Sequence, residues 1–203
     1  MSNNVIPPSH PSLADRMRSF SSSRYSYVGG FLWGLCEGTF FFVVPDVLTT
    51  LAGLFRLRSG LIIMAASIVG SLLSAVVVYL LVASLGESTT VNFIDSIPFI
   101  SSPMISDVSG QMAKSVPVAL LRAPLQGYPY KIYSVEAAIQ GVSLWPYLLW
   151  SVLARLGRLL PTTLYAGLLG IIFRKSVQRH TLISLGIYAT IWVAIYAFYW
   201  STN

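Results

Sequence analysis

Charge is scarce in this chain. Of 203 residues, only 10% are Asp, Glu, Lys or Arg and 55% are hydrophobic; a soluble domain carries about 25% charged residues. The mean hydropathy is +0.70. Cysteine occurs once, as Cys36, which excludes an intrachain disulfide and a thiolate metal site. In its apolar run it reads as a small packing residue. The two histidines, His10 and His180, fall in a Ser/Pro-rich leader and a basic stretch. That leaves no histidine pair for phosphohistidine chemistry, and no GxSxG or HExxH motif is present. These absences argue against an intramembrane lipid enzyme, and no catalytic residue, cofactor or metal is expected. The net charge of +6 comes from Lys and Arg scattered between apolar runs, so it is no nucleic-acid footprint. In a membrane protein, basic residues set orientation and meet anionic headgroups.

What is present is a succession of apolar segments, and the chain reads as an all-α integral membrane protein with one domain over 28–200. Residues 1–27 read as a mobile cytoplasmic tail. It lacks the apolar core and small-residue cleavage site of a signal peptide, and LADRMRSF could form a short interfacial helix. His10 reads as solvated. Residues 60–85 are charge-free and exceed the roughly 20 residues needed to cross the hydrocarbon core. Ala66, Gly70 and Ser74, with Ser67, Ser71 and Ala75, repeat at four-residue spacing, as helix packing in a bilayer favours. Residues 144–173 and 181–200 read as further spans, the first kinked at Pro161. Tyr196, Tyr199 and Trp200 suit an interfacial aromatic belt. Residues 86–116 are too polar to span and read as an outer loop with an amphipathic helix, or as a mobile gate. Residues 174–180 read as a basic loop.

Two segments resist this scheme. Residues 31–58 hold Glu37, Pro45 and Asp46, and residues 117–142 hold Arg122, Pro124, Pro129, Lys131 and Glu136. A charge at the centre of a span costs roughly 2.5–3.5 kcal/mol, and an interior proline about 3 kcal/mol. Broken backbone is tolerated at membrane depth only where it lines a cavity or is buried in protein. Both segments therefore read as re-entrant hairpins, turned at Pro45 and Pro129. Charge counting agrees. Arg56 and Arg58 precede one span, Arg174, Lys175 and Arg179 precede another, and the 86–116 connection carries Glu87, Asp95 and Asp107 with Lys114. The positive-inside rule puts 1–26, 56–59 and 174–180 in the cytoplasm and 86–116 outside. That requires 31–58 to enter and leave on the cytoplasmic side and 117–142 on the outer side. The expected architecture is two opposed re-entrant hairpins in an inverted repeat, plus about three full spans, a transporter pattern.

Glu37 followed by FFFVVPD (40–46) resembles the first motif of the DedA, or VTT-domain (SNARE-associated), membrane proteins. GYPYKIYSVEAAIQG (127–141) followed by ARLGR (154–158) resembles the second half of the family's YqaA-like branch. The resemblance covers roughly residues 28–173. It implies opposed re-entrant hairpins, and movement of a lipid or lipid phosphate, undecaprenyl phosphate or a phospholipid, across a bacterial plasma membrane. Dependence on the proton motive force is a family theme.

The candidate substrate- or ion-binding residues are Glu37, Asp46, Lys131, Glu136, Arg155 and Arg158. A phosphate headgroup needs a fixed cation, and arginine offers bidentate donors. Arg155 and Arg158, at i and i+3, share a helix face and could clamp it. Glu37 is the candidate for proton coupling. Ion pairing that merely joins the hairpins is the competing reading for these residues. Arg122 reads as a snorkelling interfacial side chain. The expected partners are membrane lipids with an anionic headgroup, and coupling protons; a homo-oligomer is compatible with the sequence. A non-transporting membrane scaffold is the alternative function.

Overall fold

A computed structural model describes residues 11–202. His10, the start of the tail and the side chain of Trp200 lie outside the described residues. Eleven helices and no strands occur among the described residues. The first is α1, Leu13–Ser21, followed by α2, Arg24–Glu37. The serines that suggested a mobile tail act as helix caps. Ser12 Oγ accepts from the Asp15 N–H, and Ser23 Oγ accepts from the Ser26 N–H. Ser26 Oγ donates to the Phe20 carbonyl across the junction, and α1 packs on a later helix, α3. Residues 13–27 are thus built into the fold rather than trailing from it.

Helix α2 stops at Glu37. Gly38 follows, and Thr39 turns its hydroxyl back onto the Leu35 and Cys36 carbonyls. Pro45 then stands at the N-cap of α3, Asp46–Phe55, where its missing N–H costs nothing. The extended backbone of Arg56 separates α3 from α4, Leu57–Leu85. Helix α2 runs alongside α4 in the same direction, with Gly30 against Ile63, Gly34 against Ser67 and Gly38 against Ser74. Helix α3 returns the other way and sets Gly53 against Gly60. Both ends of this hairpin therefore meet at the start of α4. There Arg56 donates to Ser22 Oγ at 2.8 Å, and Ser22 Oγ lies 3.1 Å from Ser59 Oγ. The hairpin tip reaches the level of Ser74, about halfway along α4. The small-residue rows expected on 60–85 do pack helices: Ser67, Gly70, Ser71, Ser74 and Ala75 are buried, and Gly70 faces the Phe31 backbone.

The 86–116 connection holds two helices, α5, Glu87–Asp95, and α6, Ser102–Lys114. Helix α6 buries Met104, Val108 and Met112 at four-residue spacing, which gives it one apolar face. Then come α7, Val116–Gln126, and α8, Tyr130–Ile139. Gly127 ends α7 with φ of 75°, a left-handed turn that glycine adopts without strain. Helix α8 is the centre of the molecule, with every residue from Tyr130 to Ala137 buried.

Helix α9, Leu144–Ile172, matches α4 at 29 residues, about 43 Å long, and continues through Pro161. It runs parallel to α3, with Asp46 beside Arg158, Gly53 beside Thr163 and Leu54 beside Gly170. Since α3 opposes α4, α4 and α9 are antiparallel. Packing between the two halves is reciprocal: α3 lies on α9, and α8 lies on α4. The expected basic loop 174–180 is mostly a short helix, α10, Arg174–Arg179, before α11, Thr181–Thr202.

Among the described residues two helices, α4 and α11, are long and apolar enough to cross a membrane. Three were expected. Helix α9 has the length, but Arg155, Arg158 and its Ser and Thr residues lower its hydropathy. Helix α11 is exposed along most of its length, showing Leu182, Ile183, Ile187, Ile191 and Val193. Leu149, Tyr165 and Ile172 of α9 are also exposed. So many exposed large apolar side chains are unusual on a protein surrounded by water.

Candidate functional site

The tips of the two helical hairpins, residues 38–45 and 127–129, meet beside the middle of α9. Glu37 sits at the C-terminal end of α2, where the helix dipole disfavours an anion. Its compensation comes from Arg155, whose Nη2 donates to Glu37 Oε2 at 2.5 Å. Both side chains are buried, at 5% and 4% exposure. The guanidinium of Arg155 also lies over the Tyr130 ring, 4.1 Å from its centroid. Its Nε is buried without a partner.

Asp46 sits in the first turn of α3, where the dipole favours it. Arg158 Nε donates to Asp46 Oδ2 at 3.2 Å, and Thr162 Oγ1 donates to Oδ1 at 3.0 Å. Arg158 is the more open of the two arginines, at 26% exposure. The two arginines share a face of α9, as their spacing implied, but they do not form one free clamp. Each is engaged by a different carboxylate, because α2 and α3 deliver Glu37 and Asp46 to successive turns of α9.

Lys131 begins α8, just after Pro129 at its N-cap. It is 1% exposed. Its Nζ donates to the Phe41 carbonyl at 3.1 Å, which ties the second hairpin to the first. Among the described residues the ion pairs are Arg155–Glu37 and Arg158–Asp46, so Lys131 is in direct contact with no carboxylate, and Glu37, whose charge it feels across the cavity, is bonded to Arg155. The cluster holds three cationic side chains against two carboxylates.

A cavity of about 230 Å³ opens onto this cluster. Glu37, Lys131 and Arg158 form its polar side. Phe42, Trp192 and Tyr196 are among its apolar walls, and Pro98, Phe99 and Ile100, between α5 and α6, close one side. Phe99 has φ of 69°, an uncommon conformation for a residue with a side chain, and its ring lies 5.4 Å from that of Phe42.

Glu136 does not join this group. It is buried, but on another face of α8, where it accepts from Gln140 Nε2 at 3.1 Å. Gln140 in turn donates to the Ser109 carbonyl of α6. Arg122 is exposed. Pro45 and Pro129 stand at helix starts, as turn residues.

Uncharged residues outside the expected binding set complete the site. The Tyr196 hydroxyl accepts from the Val44 N–H at 2.8 Å, and the Tyr188 hydroxyl donates to the Val47 carbonyl. Trp33 Nε1 donates to the Val43 carbonyl at 2.9 Å. These bonds satisfy the broken backbone of the first tip. Tyr196 and Tyr199, expected in an interfacial belt, line the cavity. The sequence signal was available: aromatic residues with polar tips on one side of α11. Among the described residues no three His, Cys, Asp or Glu side chains gather as a metal site. Chemically, the arrangement can hold an anion. No family model, no curated protein and no solved structure matches this chain.

Proposed function

We propose that the chain is a membrane-embedded carrier of the DedA type that binds the phosphate of a lipid headgroup and moves it across the bilayer. The observation that carries the reading is Lys131, buried at a cavity with its Nζ on a carbonyl, while the nearby carboxylate Glu37 is already bonded to Arg155. A buried, unpaired charge is costly, and an anionic ligand between Lys131 and Arg158 removes that cost. The cavity's apolar walls and the exposed surfaces of α9 and α11 suit a ligand that is part charge and part hydrocarbon.

In this reading the two hairpins are re-entrant and meet near the bilayer midplane. The antiparallel course of α4 and α9, and the reciprocal packing of α3 and α8, support an inverted repeat. Lys131 takes the headgroup first, since its only bond is to a carbonyl. Arg158 then exchanges Asp46 for a phosphate oxygen, and Asp46 keeps Thr162. Loosening the 38–45 and 127–129 tips on alternate sides exposes the headgroup to one face and then the other. Glu37, held by Arg155, is the site of proton coupling.

The test is reconstitution of purified protein in liposomes with fluorescent phosphatidylglycerol, phosphatidylcholine or a polyprenyl phosphate, with and without a pH gradient. Transbilayer movement of the anionic lipids above protein-free vesicles, steeper with the gradient, is the expected result. Equal and gradient-independent movement of phosphatidylcholine would contradict an anion carrier.

A further inference from the structure

The second place where cations gather is far from the hairpin tips, at the base of the first hairpin. A groove of about 410 Å³ is lined there by Arg18 of α1, Arg56 at the α3–α4 break and Arg174 at the α9–α10 junction. Its floor is apolar, with Leu54 and Phe55 of the first hairpin, Leu57 of α4 and Ile171 of α9. The floor exists because α9 packs tightly on the hairpin. A Cβ at Gly170 would collide with the Leu54 carbonyl, and one at Gly53 would lie 3.1 Å from the Thr163 carbonyl.

Among the described residues no carboxylate lines this groove. Arg56 donates to the neutral Ser22 Oγ, and Arg18 lies 2.9–3.0 Å from the Gln178 side-chain carbonyl when that amide is turned toward it. Asp15, on α1, bonds Ser12 instead. Complementing the C-terminal dipoles of α3 and α9 would account for Arg56 and Arg174. Arg18 likewise lies in the last turn of α1, but the dipoles of three separate helices do not account for the meeting of the three arginines over an apolar floor. A soluble anion has no use for that floor, whereas an amphiphile has. It continues into the exposed side chains of Ile172 and Phe173.

We propose that this groove is a second, surface binding site for an anionic phospholipid, its phosphate held by Arg18, Arg56 and Arg174 and its acyl chains laid along Ile171 and Ile172. The site rests on the reading that the chain lies in a bilayer, with this end at the headgroup level, but not on what the buried cluster carries. Such a lipid pins α1 to the junctions that anchor α3, α4 and α9.

The experiment uses full-length protein in phosphatidylcholine nanodiscs, titrated with short-chain phosphatidylglycerol, short-chain phosphatidylcholine or inorganic phosphate, with the thermal midpoint as readout. The wild type is expected to rise in midpoint with phosphatidylglycerol alone. Substituting Arg18→Gln, Arg56→Gln and Arg174→Gln together is expected to weaken that response about a hundredfold, at about fivefold per arginine. In a Lys131→Gln background, which weakens the buried cluster, a response to phosphatidylglycerol is expected to remain and to be lost when the three arginines are also substituted. An undiminished response in the triple variant would overturn the site, as would an equal response to phosphatidylcholine. An equal response to inorganic phosphate would show an anion site with no lipid specificity, which also contradicts the proposal. Loss of the response in Lys131→Gln alone would place the lipid in the buried cluster and remove the groove site. A chain that purifies without detergent would instead defeat the membrane reading underneath both sites.

Discussion

Arg155 and Glu37 stand 118 positions apart in the chain, yet form a fully buried ion pair at 2.5 Å. The pair joins the tip of the first hairpin to the middle of α9. Removing one member leaves the other charged and buried, which costs about 3–5 kcal/mol. Glu37→Gln and Arg155→Gln are each expected to lower stability by that order in thermal unfolding of the purified protein. The double variant Glu37→Met with Arg155→Met is expected to lose much less than the sum. Strict additivity would show that the pair is not coupled. A transport defect in Glu37→Gln alone therefore reports on folding as much as on proton coupling.

Helix α2 lies so close to α4 that glycine is required at the contact. A Cβ at Gly34 would meet the backbone carbonyl of Ser67, which cannot turn aside. Gly29, on the same helix, has nothing within 4 Å of its Cβ position. Gly34→Ala is expected to destabilise by about 1–3 kcal/mol. Gly29→Ala should be neutral or slightly stabilising, since alanine is the better helix former. Parallel thermal melts distinguish the two, and equal melting of both variants would count against this helix packing.

Charges within apolar runs led to Glu37, Asp46, Lys131, Arg155 and Arg158, because a buried charge needs a partner and partners must converge. The same reasoning also selected Glu136, which the fold places elsewhere. At about 100° per residue, positions 131 and 136 of α8 point about 140° apart. Periodicity alone does not say which face meets the other hairpin. The pairing itself was equally hidden: i, i+3 spacing suggests one shared clamp, and only the parallel course of α3 and α9 assigns each arginine its own carboxylate. Tyr130, Thr162 and Tyr188 were missed because uncharged polar residues in an apolar run look like packing, and Tyr196 was read only as a belt residue.

Glu136→Gln is expected to keep wild-type anion binding and stability, because the amide oxygen still accepts from Gln140. Calorimetric titration of the variant with a short-chain phosphatidic acid checks this. A tenfold loss of affinity would bring Glu136 into the site after all.

Both ends of the first hairpin lie at the start of α4. In a Cys36→Ser background, Ser19→Cys and Arg58→Cys should be labelled by a membrane-impermeant maleimide from the same face of sealed vesicles. Labelling from opposite faces would make residues 31–58 a crossing segment and end the re-entrant reading.

Lys131 is the most direct point of attack, because the proposed function and the fold make opposite demands on it. It contributes one hydrogen bond, to the Phe41 carbonyl, and no ion pair. Glutamine keeps a donor for that carbonyl and removes the buried charge. The decisive measurement is the binding of a short-chain lipid phosphate to Lys131→Gln, alongside its thermal midpoint without ligand. The expected result is a midpoint equal to or above wild type, with affinity at least tenfold weaker. Unchanged affinity in a stably folded Lys131→Gln would contradict the central claim that this lysine awaits an anion.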